Sequence, residues 1–177
     1  MEDSFEVKIG RLLRLSSYKI ATAESCTGGL IGHRLTNVAG SSEYYLGGII
    51  AYAYEAKVAL LNVSWDTLRN HGAVSRETVL EMAHGARMAL GADLAVSVSG
   101  IAGPGGSLPG KPIGTTWLGL AARDGAWAQV YCFGGDRIEN KTSSADAALK
   151  LIYDYLNGKR DLEADLRDRL VGDGLAC

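Results

Sequence analysis

The chain has 177 residues, 47% of them hydrophobic, and its 18 Lys plus Arg against 20 Asp plus Glu leave a formal charge of −2. A chain of this length buries about 70% of the surface it exposes when unfolded, enough for one core without staples. No run of about 18 apolar residues occurs and Glu2, Asp3 and Glu6 stand where a secretory signal is basic and then apolar, which argues against membrane spanning and export, while the lack of excess cation argues against nucleic acid as a partner.

Taken in chain order, residues 3 to 16 place Phe5, Ile9, Leu12 and Leu13 at helical spacing among charges. Ile20 to Ala23 read as a buried strand, followed by the turn Glu24-Ser25-Cys26-Thr27-Gly28-Gly29 and a helical pattern of Leu30, Ile31 and Leu35. Gly47 to Tyr54 is strand-like, and residues 55 to 71 suit one or two short helices ending at His71-Gly72. Ser75 predicts a helix N-cap, with Val79, Met82, Ala83, Ala86 and Leu90 repeating at helical period up to Gly91. Leu94 to Ser99 is a short strand run, and Gly100 to Pro112 is a Gly/Pro loop. Thr115 to Ala122 and Trp127 to Phe133 are strand patterns joined by a turn that contains Asp124-Gly125, a hairpin signal. A last helix is expected between about 138 and 157, stopped by Asn157-Gly158, and residues 159–177 form a charged tail beyond a single domain of residues 1–158. Helices alternating with strands predict an α/β fold, one mixed sheet with helices on both faces, whose ligand site lies at the carboxyl ends of the strands.

Cys26, Cys132 and Cys177 are odd in number and widely spaced, the usage expected in a reducing cytoplasm. His33, His71 and His84 have no second ligand at zinc spacing, so no metal is expected. Glycine is in excess, 23 of 177, and its clusters mark the candidate chemistry.

In the 24–29 turn, Ser25 leaves a strand and enters a helix N-terminus, where unpaired N–H groups can hold an oxyanion. The same position suits a plain N-cap of a helix over 26–36. Cys26 is a rival nucleophile with no base beside it in sequence. Tyr52 and Lys57 follow the next strand; a lysine acts as a base only when neutral, so its pKa must fall by about three units. By themselves Lys57 reads as a solvated lysine and Tyr52 as a core tyrosine with its hydroxyl at the rim. Ser99 to Gly106 is a strand followed by a loop whose amides can cradle a phosphate. Gly105 to Lys111 matches the spacing of a P-loop, but Pro112 stands in place of the magnesium-binding Ser or Thr, which excludes that reading. Arg137 suits either a bidentate clamp on phosphate or carboxylate, or an ion pair with Asp136 or Glu139.

Together these blocks resemble the CinA C-terminal domain family, whose stand-alone members are nicotinamide-nucleotide amidohydrolases. The matching strings are ATAESCTGGLIGHRLT (21–36), GSS (40–42), the Gly47-Gly48, Ala51-Tyr52 and Lys57 spacing, HGAVS (71–75), SGIAGPGG with KPIGT (99–115) and GGDR (134–137), covering about 20 to 157. The resemblance implies a three-layer α/β/α domain that deamidates nicotinamide mononucleotide without cofactor or metal, as a homo-oligomer. It implies Ser25 as nucleophile, Lys57 and Tyr52 as the activating pair, with the Tyr52 hydroxyl a possible relay, and the turn of Cys26, Thr27, Gly28 and Gly29 as oxyanion site. Ser41, Ser42, the loop of Ser99, Gly100 and Gly103, and Arg137 are candidates for holding the ribose phosphate. Ser99, Ala39 and Lys141 stand where the family more often has Thr, Pro and Arg. The alternative it leaves is a non-catalytic ligand-binding or assembly domain.

Overall fold

In a computed structural model of the chain, residues 3–162 are described. Six helices and five strands follow one another as α1 (Phe5–Ser16), β1 (Ile20–Glu24), α2 (Leu30–Thr36), a single 3-10 turn (Ser41–Glu43), β2 (Tyr45–Ile50), α3 (Tyr54–Leu61), α4 (Trp65–His71), α5 (Arg76–Leu90), β3 (Leu94–Gly100), β4 (Thr115–Ala122), β5 (Ala126–Cys132) and α6 (Arg137–Leu156). The strands order as β2-β1-β3-β4-β5. The first three are mutually parallel, and β4 and β5 run antiparallel as the predicted hairpin.

The fold is α/β with helices on both faces of the sheet. β1 is buried at all five positions, as a parallel strand covered on two sides must be. On one face Ile9 and Leu13 of α1, Ile31 and Leu35 of α2, and Leu149 and Ile152 of α6 pack on Ile20, Val96, Val98 and Leu118. On the other, Leu61, Leu68, Met82 and Ala86 from α3 to α5 cover Ala21, Ala23 and Ala95. The helices α3 and α5 approach so closely that a Cβ at Gly85 would lie 1.9 Å from the Leu61 carbonyl oxygen.

Several boundaries differ from the sequence expectation, each for a local reason. The helix after β1 starts at Leu30, because Gly28 (φ 64°) and Gly29 (φ 99°) take left-handed backbone that no helix can include. Ser25 is therefore not an N-cap. β2 stops at Ile50, where its partner β1 ends at Glu24, and Tyr54 opens α3. Residues 54–71 make two helices because Asn62 turns left-handed (φ 55°) and Ser64 caps α4 by accepting from the Thr67 amide. α6 begins at Arg137 under a capping box of Asp136 and Glu139. The charged tail starts against the domain: Leu162 is buried and the Gln129 side chain donates to its carbonyl. The rest of that tail, 163–177, lies outside the described residues.

Parallel pairing brings Ser25 after β1, Ala51-Tyr52 after β2 and the 101–114 loop after β3 to one end of the sheet. The Ser41–Glu43 turn precedes β2 and lies at the opposite end.

Candidate active site

Lys57, at the end of the first turn of α3, is 0% exposed. Its Nζ donates to the carbonyl oxygens of Ala51 at 2.7 Å and Tyr52 at 3.1 Å, and lies 3.0 Å from Ser25 Oγ. No carboxylate pairs with it among the described residues, and burial pulls its pKa down to about 8. A neutral amine has two N–H bonds and one lone pair. The two carbonyls account for the N–H bonds, so the lone pair is left facing the Ser25 hydroxyl. Charged, the same nitrogen donates in all three directions.

The backbone that presents Ser25 is tied from below by Glu24, which is 1% exposed. Its carboxylate accepts from Thr27 Oγ1 at 2.6 Å and from the amides of Gly29, Ile31 and Gly32 at 2.9 to 3.1 Å. An anion within the chain thus already occupies the amino end of α2. The Gly28 amide closes the turn onto the Ser25 carbonyl. Of the turn predicted as an oxyanion site, this leaves the amides of Cys26 and Thr27 without a carbonyl or carboxylate acceptor among the described residues. The Thr27 hydroxyl is committed to Glu24, and Gly29 serves the same staple. The Cys26 thiol is buried and its pKa is pushed up to about 11 by burial, the opposite of an activated nucleophile.

Tyr52 meets Lys57 through its backbone carbonyl and not its hydroxyl. The ring is 62% exposed and its hydroxyl accepts from Arg137 Nη2 at 3.1 Å, so no relay from Lys57 through that oxygen is present. Arg137 makes neither of the ion pairs weighed for it, because Asp136 and Glu139 cap their own helix. Its Nη1 instead donates to the Gly103 carbonyl at 2.6 Å, strapping the glycine loop to Tyr52 across the mouth of the site. Asn140 anchors that loop from beneath, donating to the carbonyls of Ala102 and Gly135. Ser99 is buried near the end of β3, beside Val98, whose carbonyl accepts from the Ser25 amide. Gly100 is required where it stands, since a Cβ would lie 2.5 Å from Thr116 Oγ1.

Two groups depart from the expected set. Ser41 and Ser42 are at the other end of β2, roughly 17 Å from Ser25 by five strand residues at about 3.3 Å each, so within one chain they do not reach the site. Lys141 of α6 comes to it instead: its Nζ stands 3.8 Å from the position a Cβ on Gly28 would take, in a cleft also lined by Thr27, Gly29, His33 and Ile138. Lys141 has no hydrogen bond or ion pair among the described residues. Glu24, Asn140 and Lys141 were not singled out as site residues from sequence. For Glu24 a signal exists, an acid placed directly before a turn that enters a helix. No three His, Cys, Asp or Glu side chains converge as metal ligands among the described residues.

The profile of the CinA C-terminal domain matches residues 2–156. The chain belongs to the CinA C-terminal domain family. It is 50% identical over 147 residues to a CinA-like protein of Salinibacter ruber, covering 83% of this chain and 36% of that one, and 48% identical over 156 residues to a CinA-like protein of Chloroherpeton thalassium, covering 86% and 37%. It therefore spans under two-fifths of the length of these CinA-like relatives. Among solved structures, the competence/damage inducible protein CihA of Agrobacterium tumefaciens superposes with a TM-score of 0.82 at 39% identity, over 89% of this chain and 99% of that one. A CinA superfamily protein of Klebsiella pneumoniae superposes at 0.84 with 33% identity, over 88% and 97%. The CinA domain alone is thus a folded unit in those structures. No helix among the described residues is long and apolar enough to cross a membrane.

Proposed function

We infer that this CinA domain is a serine amidohydrolase acting on the carboxamide of nicotinamide mononucleotide, yielding nicotinate mononucleotide and ammonia. The observation that carries the chemistry is the buried Lys57 amine, with two carbonyls on its N–H bonds and Ser25 Oγ at 3.0 Å in its third direction. The resemblance to nicotinamide-nucleotide amidohydrolases supplies the substrate.

Neutral Lys57 takes the Ser25 proton as Oγ adds to the carboxamide carbon. The oxygen that gains the negative charge is met by the amides of Cys26 and Thr27, which have no carbonyl or carboxylate acceptor among the described residues and are held in place before the reaction by the Glu24 staple. Lys57 returns the proton to the departing nitrogen, ammonia leaves, and the acyl-enzyme is hydrolysed by water with Lys57 again as base. Lys141, which has no hydrogen bond or ion pair among the described residues, is placed to meet the phosphate, while Arg137 holds the loop and Tyr52 that border it.

The test is ammonia release from nicotinamide mononucleotide, with the riboside as the phosphate-free control. Wild type should be active, Ser25→Ala and Lys57→Ala inactive, and Lys141→Gln should raise KM for the mononucleotide about tenfold while leaving the riboside unchanged. A folded wild type that releases no ammonia would leave a ligand-binding or assembly domain in place of an enzyme.

A further inference from the structure

The last described residue lies in the core. Leu162 is 0% exposed, and the side chain of Gln129, in the middle of β5, donates to its carbonyl at 2.7 Å. Two residues earlier, Arg160 donates to Asp124 in the turn that precedes β5, so the chain is climbing along β5 in the strand's own direction when it reaches Leu162. β5 is an outer strand, paired with β4 alone among the described residues. On this side of the sheet α6 packs over β3 and β4, and Trp127, Gln129, Tyr131 and Phe133 make a row along β5. The Trp127 ring meets Tyr155 of α6 with centroids 5.4 Å apart, which sets the row on the α6 face, and Tyr131 and Phe133 stack at 5.5 Å. All three of these β5 rings are only half-buried.

Residues 163–177 follow in the sequence, outside the described part. Leucine recurs at 162, 166 and 170, the spacing of one helix face. Glu163 with Arg167 and Asp165 with Arg169 are acid-before-base pairs four residues apart, and Gly172 is a stop signal. We propose that the segment 163–172 continues from Leu162 as a helix laid along β5, with Leu166 over Tyr131 and Leu170 over Phe133. The repeats agree: four residues of helix rise about 6.0 Å and two residues of strand about 6.7 Å, so over both steps leucines and rings stay within about 1.5 Å of register. Leu162 is itself seated at the start of the row and delivers the segment onto it, at an effective concentration that a separate molecule does not match. Phe133 leads through Gly134 and Gly135, which Asn140 holds, into Arg137, so the helix braces the strand end that carries the strap of the site. The docking rests on the fold and not on the function proposed above.

The test is nuclear Overhauser contact in the full chain, between the methyl groups of Leu166 and Leu170 and the rings of Tyr131 and Phe133. Contacts of Leu166 to Tyr131 and of Leu170 to Phe133 are expected. An isotope-filtered spectrum of mixed labelled and unlabelled protein should show them within one molecule. Leu166→Asp/Leu170→Asp should lower Tm by about 5–10 °C, whereas Asp168→Asn, on the opposite helix face, should leave it within about 1 °C. Leucine methyl groups that touch neither ring overturn the docking, as does a Tm that the double variant leaves unchanged. Contacts seen only between labelled and unlabelled molecules also overturn it, because the row is then covered by a second copy of the chain.

Discussion

The most direct consequence of the buried lysine is a pH dependence set by Lys57 itself. With its pKa near 8, the neutral form is about 3% of the population at pH 6.5, half at pH 8 and about 97% at pH 9.5. Deamidation should therefore rise about tenfold per pH unit below pH 8 and level off above it, roughly thirtyfold across the range. The phosphate of the substrate has its second ionisation near pH 6 and adds little to that limb. Replacing Lys57 by Arg keeps a cation of similar reach but one that stays protonated. Lys57→Arg should thus lose about 10²–10⁴ in kcat/KM together with the pH limb. The assay is the initial rate of ammonia release at subsaturating nicotinamide mononucleotide, at constant ionic strength, with folding checked at each pH. A flat profile from pH 6.5 to 9.5, or a Lys57→Arg enzyme that keeps its activity, would show that the amine is not the base.

Other outcomes follow from the same geometry. The pKa of Lys57 is lower folded than unfolded, so the unfolded chain holds more protons between about pH 8 and 10.5 and stability rises with pH across that window. The unfolding free energy of wild type relative to Lys57→Met should shift in favour of the wild type by up to about 3 kcal/mol between pH 7 and pH 10.5, read by denaturant melts at each pH. Glu24→Gln puts an amide donor among four donors and should cost about 2–4 kcal/mol, a fall in Tm of roughly 5–15 °C, with loss of activity from the disordered Ser25 turn. Gly85→Ala should destabilise by about 3 kcal/mol in the same melts, because the Leu61 backbone cannot move away from the new methyl as a side chain would.

Much of the fold was legible because its elements carry local signals. The Ser75 cap and helical repeat predicted α5 to within a residue, and Asp124-Gly125 predicted the β4–β5 hairpin. Glycines misled twice in the same place: Gly28 and Gly29 were visible as a close-approach turn, yet their left-handed backbone also delays α2 and removes Ser25 from the N-cap. Strand order was not legible, since β2 turns outward and β3 inserts beside β1 through tertiary packing that no spacing encodes. For the same reason Ser25 and Lys57 could be named only separately from their own spacing. Ser41 and Ser42 were misplaced within the chain because a matching string shows similarity without showing which end of a strand it occupies. Glu24 and Asn140 act by holding backbone, and such residues leave little trace in sequence beyond their polarity.

Lys57 and Ser25 lie 32 residues apart, and the two carbonyls that orient the lysine come from the chain just after β2. The pair exists only once β2 has docked on β1 and α3 has closed over the sheet. No fragment and no partly folded form of the chain can hold the reactive geometry, so catalytic turnover would count native molecules. During unfolding, activity should vanish with the opening of the edge strand, ahead of the helical signal if that edge frays first.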